Sequence, residues 1–183
     1  REYERFTTTV VNAYIKPLMS NYLKKLDQKL LNSGFNCPLL LMTSGGTLTN
    51  ISSACNNPVR LVESGPAGGA ILATSIAEDM NLHKVISFDM GGTTAKITII
   101  ENKKAIKARE FEVDRKARFK KGSGYPLRIP VIEMVEIGAG GGSIARVNKL
   151  EQIITGPDSA GSFPGPACYS NGGSMPTITD ADL

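Results

Sequence analysis

Histidine, cysteine and tryptophan are scarce in this sequence of 183 residues, and their scarcity excludes several kinds of site. His83 is the single histidine, so neither a histidine-based catalytic triad nor a multi-histidine metal site can form within the chain. The cysteines are odd in number and lack a Cys-x-x-Cys pair, so they indicate neither a disulfide framework nor a zinc site. Reduced thiols favour a cytoplasmic protein. The three are Cys37, Cys55 and Cys168.

Long apolar runs are also missing. No stretch approaches the roughly 18 to 20 apolar residues of a membrane span, and the charged start Arg1–Arg5 does not resemble a signal peptide. The sequence therefore predicts no membrane partner and a cytoplasmic location. A hydrophobic content of 41% is that of an ordinary globular protein. Because the chain begins at Arg1 and ends inside an apparent motif at Leu183, we expect one partial domain, residues 1–183, cut from a longer protein.

Positive charge is concentrated between Lys103 and Lys121, where nine Lys or Arg residues accompany three acidic ones. A basic run can follow a nucleic-acid backbone. Here Phe111, Val113 and Phe119 alternate with the charges, and only two aromatic side chains are available to stack on bases. This alternation favours a solvated pair of strands, with polyphosphate as a second use for the charge. No nucleic-acid partner is predicted.

The stretch Val85–Ile100 predicts two strands joined by a tight turn, because β-branched and aromatic residues flank a Gly-Gly pair. An aspartate at the end of a buried strand, here Asp89, can hold a hydrated divalent cation. Glycines let backbone N–H groups approach phosphate oxygens, and threonine hydroxyls add donors. The phosphate-binding candidates are Gly91, Gly92, Thr93 and Thr94. The alternative is a plain hairpin in which the glycines only supply positive φ.

A second glycine cluster directly follows the strand predicted to end at Ile137. Without side chains, such a turn can lie flat against a nucleoside, and its N–H groups can reach a phosphate. It is not a Walker A loop, since no Gly-Lys-Ser/Thr follows. A crowded corner of a sheet is the alternative explanation. The candidate residues are Gly138, Gly140, Gly141, Gly142 and Ser143.

Elsewhere the patterns predict mainly scaffold. Apolar residues at three- and four-residue steps predict a long helix over Phe6–Leu31 that packs on a sheet. Thr7 to Thr9 are its N-cap candidates, Pro17 is expected to bend or interrupt it, and Gly34 is a suitable stop. The run Pro38–Met42 predicts a strand.

Two further segments carry weaker signals. Ser44 follows the predicted strand in a glycine-rich turn, where ligands often lie in α/β sheets, but it lacks the Gly-x-Ser-x-Gly context of a nucleophile. The Ala/Ile-rich run after Ser64 predicts a closely packed helix up to Met80. Thr155–Pro176 is dense in glycine and proline and predicts a functional loop or hinge, with Asp158 and Ser159 as polar contacts. A helix cap is predicted at Thr177–Asp180.

Taken together, the ordered motifs resemble the hydantoinase/oxoprolinase family across nearly the whole chain, and the Asp89 turn resembles a phosphate-binding hairpin of the actin-like ATPase superfamily. The motifs that carry the resemblance are Ser44-Gly45-Gly46, Glu63-Ser64-Gly65-Pro66-Ala67-Gly68-Gly69, Asp89-Met90-Gly91-Gly92-Thr93-Thr94, Ile137-Gly138-Ala139-Gly140-Gly141-Gly142-Ser143-Ile144-Ala145, Gly156-Pro157-Asp158-Ser159-Ala160-Gly161 and Pro164-Gly165-Pro166-Ala167-Cys168-Tyr169.

The resemblance implies an α/β fold with a mixed central sheet and packed helices, one lobe of an actin-like (ribonuclease H-like) ATPase, with the loop at Ser64 near the nucleotide. It implies a hydrolase that uses ATP and Mg²⁺ to open a cyclic amide, a hydantoin or 5-oxoproline, by phosphorylating the amide oxygen. Asp89 would orient the metal or a water as the catalytic residue, and the two glycine turns would hold the nucleotide. A hydantoinase B-type subunit or domain is the implied partner.

Two departures from the family pattern remain. Many members have Asp-x-His where this chain has Glu133-Met134-Val135, and an aspartate at Lys96. Strand spacing places Glu133 and Glu136 on opposite faces, so only one can point into a site. Lys96 either lies near phosphate or faces solvent. Two other functions stay open: an ATP-dependent ketone carboxylase subunit of the acetone carboxylase type, and a non-catalytic lobe that binds a partner subunit.

Overall fold

The computed structural model describes residues 2–116 and 122–183, and part of the basic run at Lys103–Lys121 lies outside this range. The chain contains both helices and strands, as an α/β fold requires. The helices are α1 (Glu2–Asn32), α2 (Ile51–Asn56), α3 (Ser64–Asp79) and α4 (Ile178–Ala181), with 3₁₀ turns at Pro58–Leu61 and Ala167–Tyr169. The described chain holds no helix with the length and apolarity needed to cross a membrane.

The described strands are short and pair in five sheets. They are β1 (Leu40–Met42), β2 (Leu48–Asn50), β3 (Lys84–Met90), β4 (Ala95–Glu101), β5 (Lys104–Ala105), β6 (Lys107–Ala108), β7 (Phe111–Val113), β8 (Tyr125–Leu127), β9 (Val131–Ile132), β10 (Val135–Ile137), β11 (Ser143–Val147) and β12 (Ile153–Ser159).

The largest sheet has the order β10-β4-β3, with β5 also paired to β4. The other four sheets have two strands each, namely β1-β2, β6-β9, β7-β8 and β11-β12. Where the described strands have an assigned register, the pairing is antiparallel. This differs from the single mixed central sheet that the sequence predicts. Parallel pairing needs a crossover of a dozen or more residues, whereas most of these strands are joined by short turns.

The chain divides into two compact units. Unit 1 comprises Arg1–Val85 and Ile99–Glu133, and unit 2 comprises Ile86–Thr98 and Met134–Leu183. Strands β3 and β4 therefore contribute residues to both units. Both glycine turns singled out by the sequence fall in unit 2.

Unit 1 is built on α1, which contacts the 3₁₀ turn at Pro58, α2 and β8. Its core cluster consists of Val59, Leu127, Ile129 and Val131, with Val11 and Ile15 of α1 packed against it. A second apolar stripe of α1 stays exposed, so the helix does not bury all the apolar residues of the predicted pattern. The exposed stripe is Tyr3, Phe6, Val10, Tyr14, Leu18 and Tyr22.

The boundaries of α1 correct one prediction and confirm another. The helix begins at Glu2, so the hydroxyls of Thr7 to Thr9 lie inside it and donate to the carbonyl oxygens four residues earlier, which excludes them as N-caps. It runs through Pro17 without interruption. Gly34 ends the helix at φ +89°, with the Phe35 N–H bonded to the Leu30 carbonyl, the C-terminal arrangement that glycine favours.

The turn after β1 is a buried scaffold element. The Ser44 hydroxyl donates to the Arg60 carbonyl at 2.6 Å, and the Ser44 carbonyl accepts the Ile132 N–H at 2.9 Å. Ser44 is only 1% exposed, which leaves it no access to a substrate. The chain returns through β2 into α2, which begins at Ile51.

Helix α3 begins at Ser64, so the segment Ser64–Gly69 forms its first turns; the resemblance had implied a loop there. Ala67, Ala70 and Ala77 are fully buried along it, which confirms the predicted close packing of small side chains.

Unit 2 contains the hairpin of β3 and β4, strand β10, the β11-β12 pair and α4. β12 occupies Ile153–Ser159, so part of the predicted structureless segment Thr155–Pro176 is a strand. The predicted cap is confirmed: Thr177 is the N-cap of α4 and forms a capping box with Asp180.

Candidate functional site

The candidate site lies in unit 2 at the turn between β3 and β4. The Gly91 N–H donates to the Thr94 carbonyl at 3.0 Å, which closes a two-residue loop of Gly92 and Thr93. In the described part of the chain, the N–H groups of Gly92 and Thr93 have no hydrogen-bond acceptor. Gly92 and Thr93 are both exposed, and Asp89, near the end of β3, is exposed as well. The exposed loop therefore carries two backbone donors that the described chain does not use.

Positive φ does not explain the two glycines of this loop. Neither Gly91 nor Gly92 has a positive φ, so the plain-hairpin alternative lacks its stated reason. A Cβ on Gly92 would meet no atom within 4 Å. What the missing side chain leaves is open space beside the backbone, as close approach of a ligand requires.

Charged residues form a row across the sheet below this turn. Hydrogen bonds at both ends of the hairpin, Gly91 to Thr94 and Asn102 to His83, set one register, and in it Asp89 lies opposite Lys96. Lys96 in turn lies opposite Glu136 of β10. Directly opposite side chains in an antiparallel pair are neighbours on one face. The lysine therefore lies between two carboxylates, close to the loop.

The acidic pair before the second glycine cluster is arranged differently from the prediction. Glu136 is in β10, but Glu133 lies between β9 and β10 and its N–H donates to the Ile106 carbonyl at 2.8 Å. The predicted continuous strand Pro130–Ile137 is broken, so the alternation argument does not hold across it.

The second glycine cluster is hydrogen-bonded to the hairpin. The Gly141 N–H donates to the Gly91 carbonyl at 2.9 Å, and the Gly142 N–H donates to the Gly92 carbonyl at 2.8 Å. The Gly140 N–H donates to the Ser143 hydroxyl at 2.9 Å, while the Ser143 N–H donates to the Gly140 carbonyl. The structure thus brings together the two turns that the sequence singled out separately.

Close packing explains why this cluster is glycine. A Cβ on Gly140 would lie 2.5 Å from the Thr93 carbonyl carbon and 2.7 Å from that of Gly92. A Cβ on Gly141 would lie 2.5 Å from the Thr179 hydroxyl, and one on Gly142 would lie 2.9 Å from the Ser159 hydroxyl. The crowded-corner alternative is therefore correct for the packing of these glycines.

These contacts separate the predicted site residues into two groups. The N–H groups of Gly140 to Ser143 are used inside the chain, so in this conformation they do not face a phosphate. The loop at Gly92 and Thr93 keeps its donors. Gly138 is half-buried and precedes the bonded turn. The turn at Gly140 to Ser143, whose N–H groups are used, therefore holds the loop at Gly92 and Thr93 in place.

The sequence did not reveal a further layer that braces this turn. The Ala160 N–H donates to the Gly142 carbonyl at 2.8 Å, and the Thr179 N–H donates to the Gly141 carbonyl at 2.9 Å. Loop 159–161 and the start of α4 are thereby attached to the glycine cluster. Only the unusual density of small residues signalled such contacts, because backbone hydrogen bonds leave no side-chain pattern.

Asp180 organises the end of unit 2. Its carboxylate accepts the N–H groups of Cys168, Ala167 and Thr177, and the Thr177 hydroxyl. These donors, the Cys168 N–H first among them, hold the pKa of Asp180 well below its ordinary value. Desolvation and then the adjacent Asp180 carboxylate raise the pKa of the Cys168 thiol, which makes it a poor nucleophile at neutral pH.

Metal binding would rest on Asp89. Among residues 2–116 and 122–183, no three His, Cys, Asp or Glu side chains are grouped as a metal cluster. Mg²⁺ does not need one, because it commonly binds one or two carboxylates, several waters and the phosphates of a substrate. The exposed Asp89, near the end of the strand that leads into the loop of Gly92 and Thr93, is the carboxylate available for that mode.

The chain thus contains helices and strands and a candidate site made of two glycine turns. The turn at Gly140 to Ser143 is hydrogen-bonded to the hairpin turn at Gly91 to Thr94. The hairpin turn carries the unused N–H donors of Gly92 and Thr93 and follows Asp89 in the chain. Residues 5–183 match the profile of the family described as hydantoinase/oxoprolinase. The chain belongs to this family, and the match covers every motif that carried the resemblance.

Two curated relatives align over the whole chain. "Uncharacterized protein MJ0964" of Methanocaldococcus jannaschii is 50% identical over 186 residues, which cover 100% of this chain and 27% of the relative. The caprolactamase subunit alpha of Pseudomonas jessenii is 36% identical over 183 residues, covering 100% of this chain and 25% of that protein. The chain thus spans about a quarter of the length of these relatives.

Two solved structures are also similar to this chain. The ATP-dependent caprolactamase of Pseudomonas jessenii matches 100% of this chain and 25% of its own, with a TM-score of 0.73 and 35% identity. Nucleotide-free acetone carboxylase, described as carrying out ATP-dependent acetone carboxylation, matches 98% of this chain and 24% of its own, with a TM-score of 0.75 and 25% identity.

Proposed function

We propose that this chain is the phosphate-binding part of an ATP-dependent amidohydrolase that opens a cyclic amide such as a hydantoin or 5-oxoproline. The observation that carries the proposal is the pair of glycine turns in unit 2. One turn exposes the N–H groups of Gly92 and Thr93 beside Asp89, and the other fixes it through two backbone hydrogen bonds. Family membership and the ATP-dependent caprolactamase among the similar structures support the choice of reaction.

In the proposed site, each turn has a distinct task. The N–H groups of Gly92 and Thr93 and the hydroxyls of Thr93 and Thr94 would hold the terminal phosphates of ATP, because preorganised donors stabilise developing negative charge. The Gly91 carbonyl accepts the hydrogen bond from the Gly141 N–H of the second turn. Asp89 is the candidate for holding Mg²⁺ through water or directly.

The residues of the second turn would affect nucleotide binding by positioning the hairpin loop. Gly140 to Ser143 fix the height and direction of the hairpin loop, and Gly138 leads the chain into that turn. A misplacement of about 1 Å in a phosphate cradle can cost two orders of magnitude in rate. If the longer protein has the actin-like arrangement of lobes that the resemblance implies, the nucleoside would lie beside this turn.

ATP, when bound, would transfer its terminal phosphoryl group to the amide oxygen with release of ADP, which makes the amide carbon a better electrophile. Water would add to that carbon, and the ring C–N bond would break with a proton passing to the nitrogen. Hydrolysis of the resulting acyl phosphate would release phosphate and the carboxylate. Lys96, between Asp89 and Glu136, is placed to offset the negative charge that gathers there. The substrate itself would be held by parts of the longer protein or by a second subunit, since the caprolactamase relative is named as a subunit.

A ketone carboxylase is the second candidate, because the acetone carboxylase structure matches with the higher TM-score of the two. In this proposal both reactions would begin with ATP at the Asp89 hairpin. They differ in the carbonyl compound that is activated.

Turnover of ATP by the full-length protein separates these possibilities. ADP release would be measured with hydantoins, 5-oxoproline, caprolactam, and acetone plus bicarbonate, each with Mg²⁺. We expect stimulation by a cyclic amide. Stimulation by acetone only when bicarbonate is present would favour the carboxylase.

The Asp89→Asn variant tests the site independently of the substrate. It should lower ATP turnover on the order of a hundredfold or more while the exposed side chain leaves folding unchanged. Asp79→Asn, the same change at an exposed aspartate at the end of α3 and outside the charged row, is the matched control and should retain turnover. Equal turnover in Asp89→Asn and the wild-type protein would remove the hairpin from the mechanism.

A further inference from the structure

Unit 1 contains a cavity that the proposed ATP site does not use. It has a volume of about 480 Å³ and is lined by Arg5, Thr8, Thr9 and Arg128. A neighbouring cavity of about 310 Å³ is lined by Arg109, Arg128, Ile129 and Pro130, so Arg128 borders both. Among the described residues, neither lining contains an acidic side chain.

The backbone around the first cavity is fixed by the threonines. The Arg128 N–H donates to the Thr8 hydroxyl at 2.8 Å, which ties the chain after β8 to the first turns of α1. The Thr8 hydroxyl itself donates to the Glu4 carbonyl, and the Thr9 hydroxyl donates to the Arg5 carbonyl. With the hydroxyls engaged inside the chain, the guanidinium groups of Arg5 and Arg128 are the remaining donors.

The side chains of Arg5, Arg109 and Arg128 are exposed and form no ion pair with another described residue. The cavities that they line are open to solvent. Three positive charges around two adjoining cavities favour a ligand with more than one negative charge, and screening by water keeps each single contact modest.

We propose that this arginine cavity binds the phosphate group of a small molecule. Arginine presents its N–H donors in a planar fork that matches two phosphate oxygens at once, and two forks from different segments can grip one dianion. A volume of about 480 Å³ lies within the range of small-molecule sites, which leaves room for an organic group attached to the phosphate. The cavity shares no residue with the Asp89 hairpin.

Calorimetric titration of the full-length protein tests the proposal. The probes are inorganic phosphate, glycerol 2-phosphate and citrate, each at constant ionic strength set with NaCl because screening weakens exposed charge contacts. We expect binding of a phosphate probe. Tighter binding of glycerol 2-phosphate identifies an organic phosphate as the natural ligand, whereas equal or tighter binding of inorganic phosphate identifies the free ion.

Variants assign that binding to the cavity. Arg5→Gln and Arg128→Gln should each weaken phosphate binding roughly tenfold or more, since each removes a charge-assisted fork. Arg128→Gln retains the backbone N–H that Thr8 accepts, so its fold should persist. Lys16→Gln removes one exposed charge from α1 outside the cavity and should leave the affinity unchanged.

Three results would overturn the assignment. They are no phosphate binding at millimolar concentrations, unchanged affinity in both arginine variants, and tighter binding of citrate than of either phosphate.

Discussion

The Gly141 N–H donates to the Gly91 carbonyl oxygen at 2.9 Å, so two turns separated by about fifty residues of sequence are joined backbone to backbone. Together with the neighbouring bond from Gly142 to Gly92, this contact fixes the loop that carries the candidate phosphate donors. Gly140 of the second turn is needed because a side chain there would occupy the position of the first turn.

Gly140→Ala should destabilise unit 2. The added Cβ would lie within 2.5 to 2.7 Å of backbone atoms of Gly92 and Thr93, which cannot swing away as the end of a side chain can. Overpacking of this kind costs about 1–3 kcal/mol, to be measured as the free energy of unfolding in urea. Gly92→Ala is the control: its Cβ would meet no atom within 4 Å, and its stability should stay within about 0.5 kcal/mol of wild type. Equal losses in both variants would contradict the packing argument.

Leu127→Ala should destabilise unit 1 by about 2–5 kcal/mol, because it opens a cavity in the cluster around Val59. Leu127 is fully buried, whereas Leu72 on α3 is 63% exposed. Leu72→Ala therefore serves as the control and should change stability by less than about 0.5 kcal/mol. Thermal unfolding of both variants measures the contrast, and a Leu127→Ala protein as stable as wild type would place the core elsewhere.

Ser44→Ala tests whether this buried serine is structural. The change removes the hydroxyl that donates to the Arg60 carbonyl, and we expect a loss of about 1 kcal/mol in the free energy of unfolding. ATP turnover at saturating substrate should be unchanged, because Ser44 has no access to solvent. A fall in turnover without a fall in stability would assign it a catalytic part.

Asp180 should make stability depend on pH in the acid range. Its folded pKa is lowered by the N–H donors around it, so its contribution is present above the ordinary pKa near 3.8 and is lost as pH falls towards the lower folded value. The stability difference between wild type and Asp180→Asn should therefore be constant from pH 5 to 7 and shrink below about pH 4. Urea unfolding across that range measures it, and a difference that grows on acidification would contradict the assignment.

Periodicity and terminal residues predicted the helices well. Apolar spacing located α1, and Gly34 marked its end because only a residue that accepts positive φ fits there easily. The capping box at Thr177 was visible because Thr and Asp stand at the spacing that the cap requires. The start of α1 was placed too late, because the threonines that resemble caps bond back into the helix.

The strands and the bracing contacts were harder to predict. β12 contains a glycine and a proline, Gly156 and Pro157, which are typical of loops, yet it pairs with β11. Composition identified the hairpin and the glycine turn separately. The contact between them consists of backbone hydrogen bonds, and the sequence does not show which backbone groups will pair. To predict the row of Asp89, Lys96 and Glu136, one would need the register of β3, β4 and β10. Strand β10 pairs with β4 although the two are not adjacent in sequence.

The fit of Gly141 against Thr179, and of Gly142 against Ser159, has a consequence for how this family can vary. A larger residue at either glycine is tolerable only if the facing hydroxyl residue shrinks in the same lineage. Divergence at these paired positions should therefore be correlated, and homologues that exchange one member alone should carry a displaced loop.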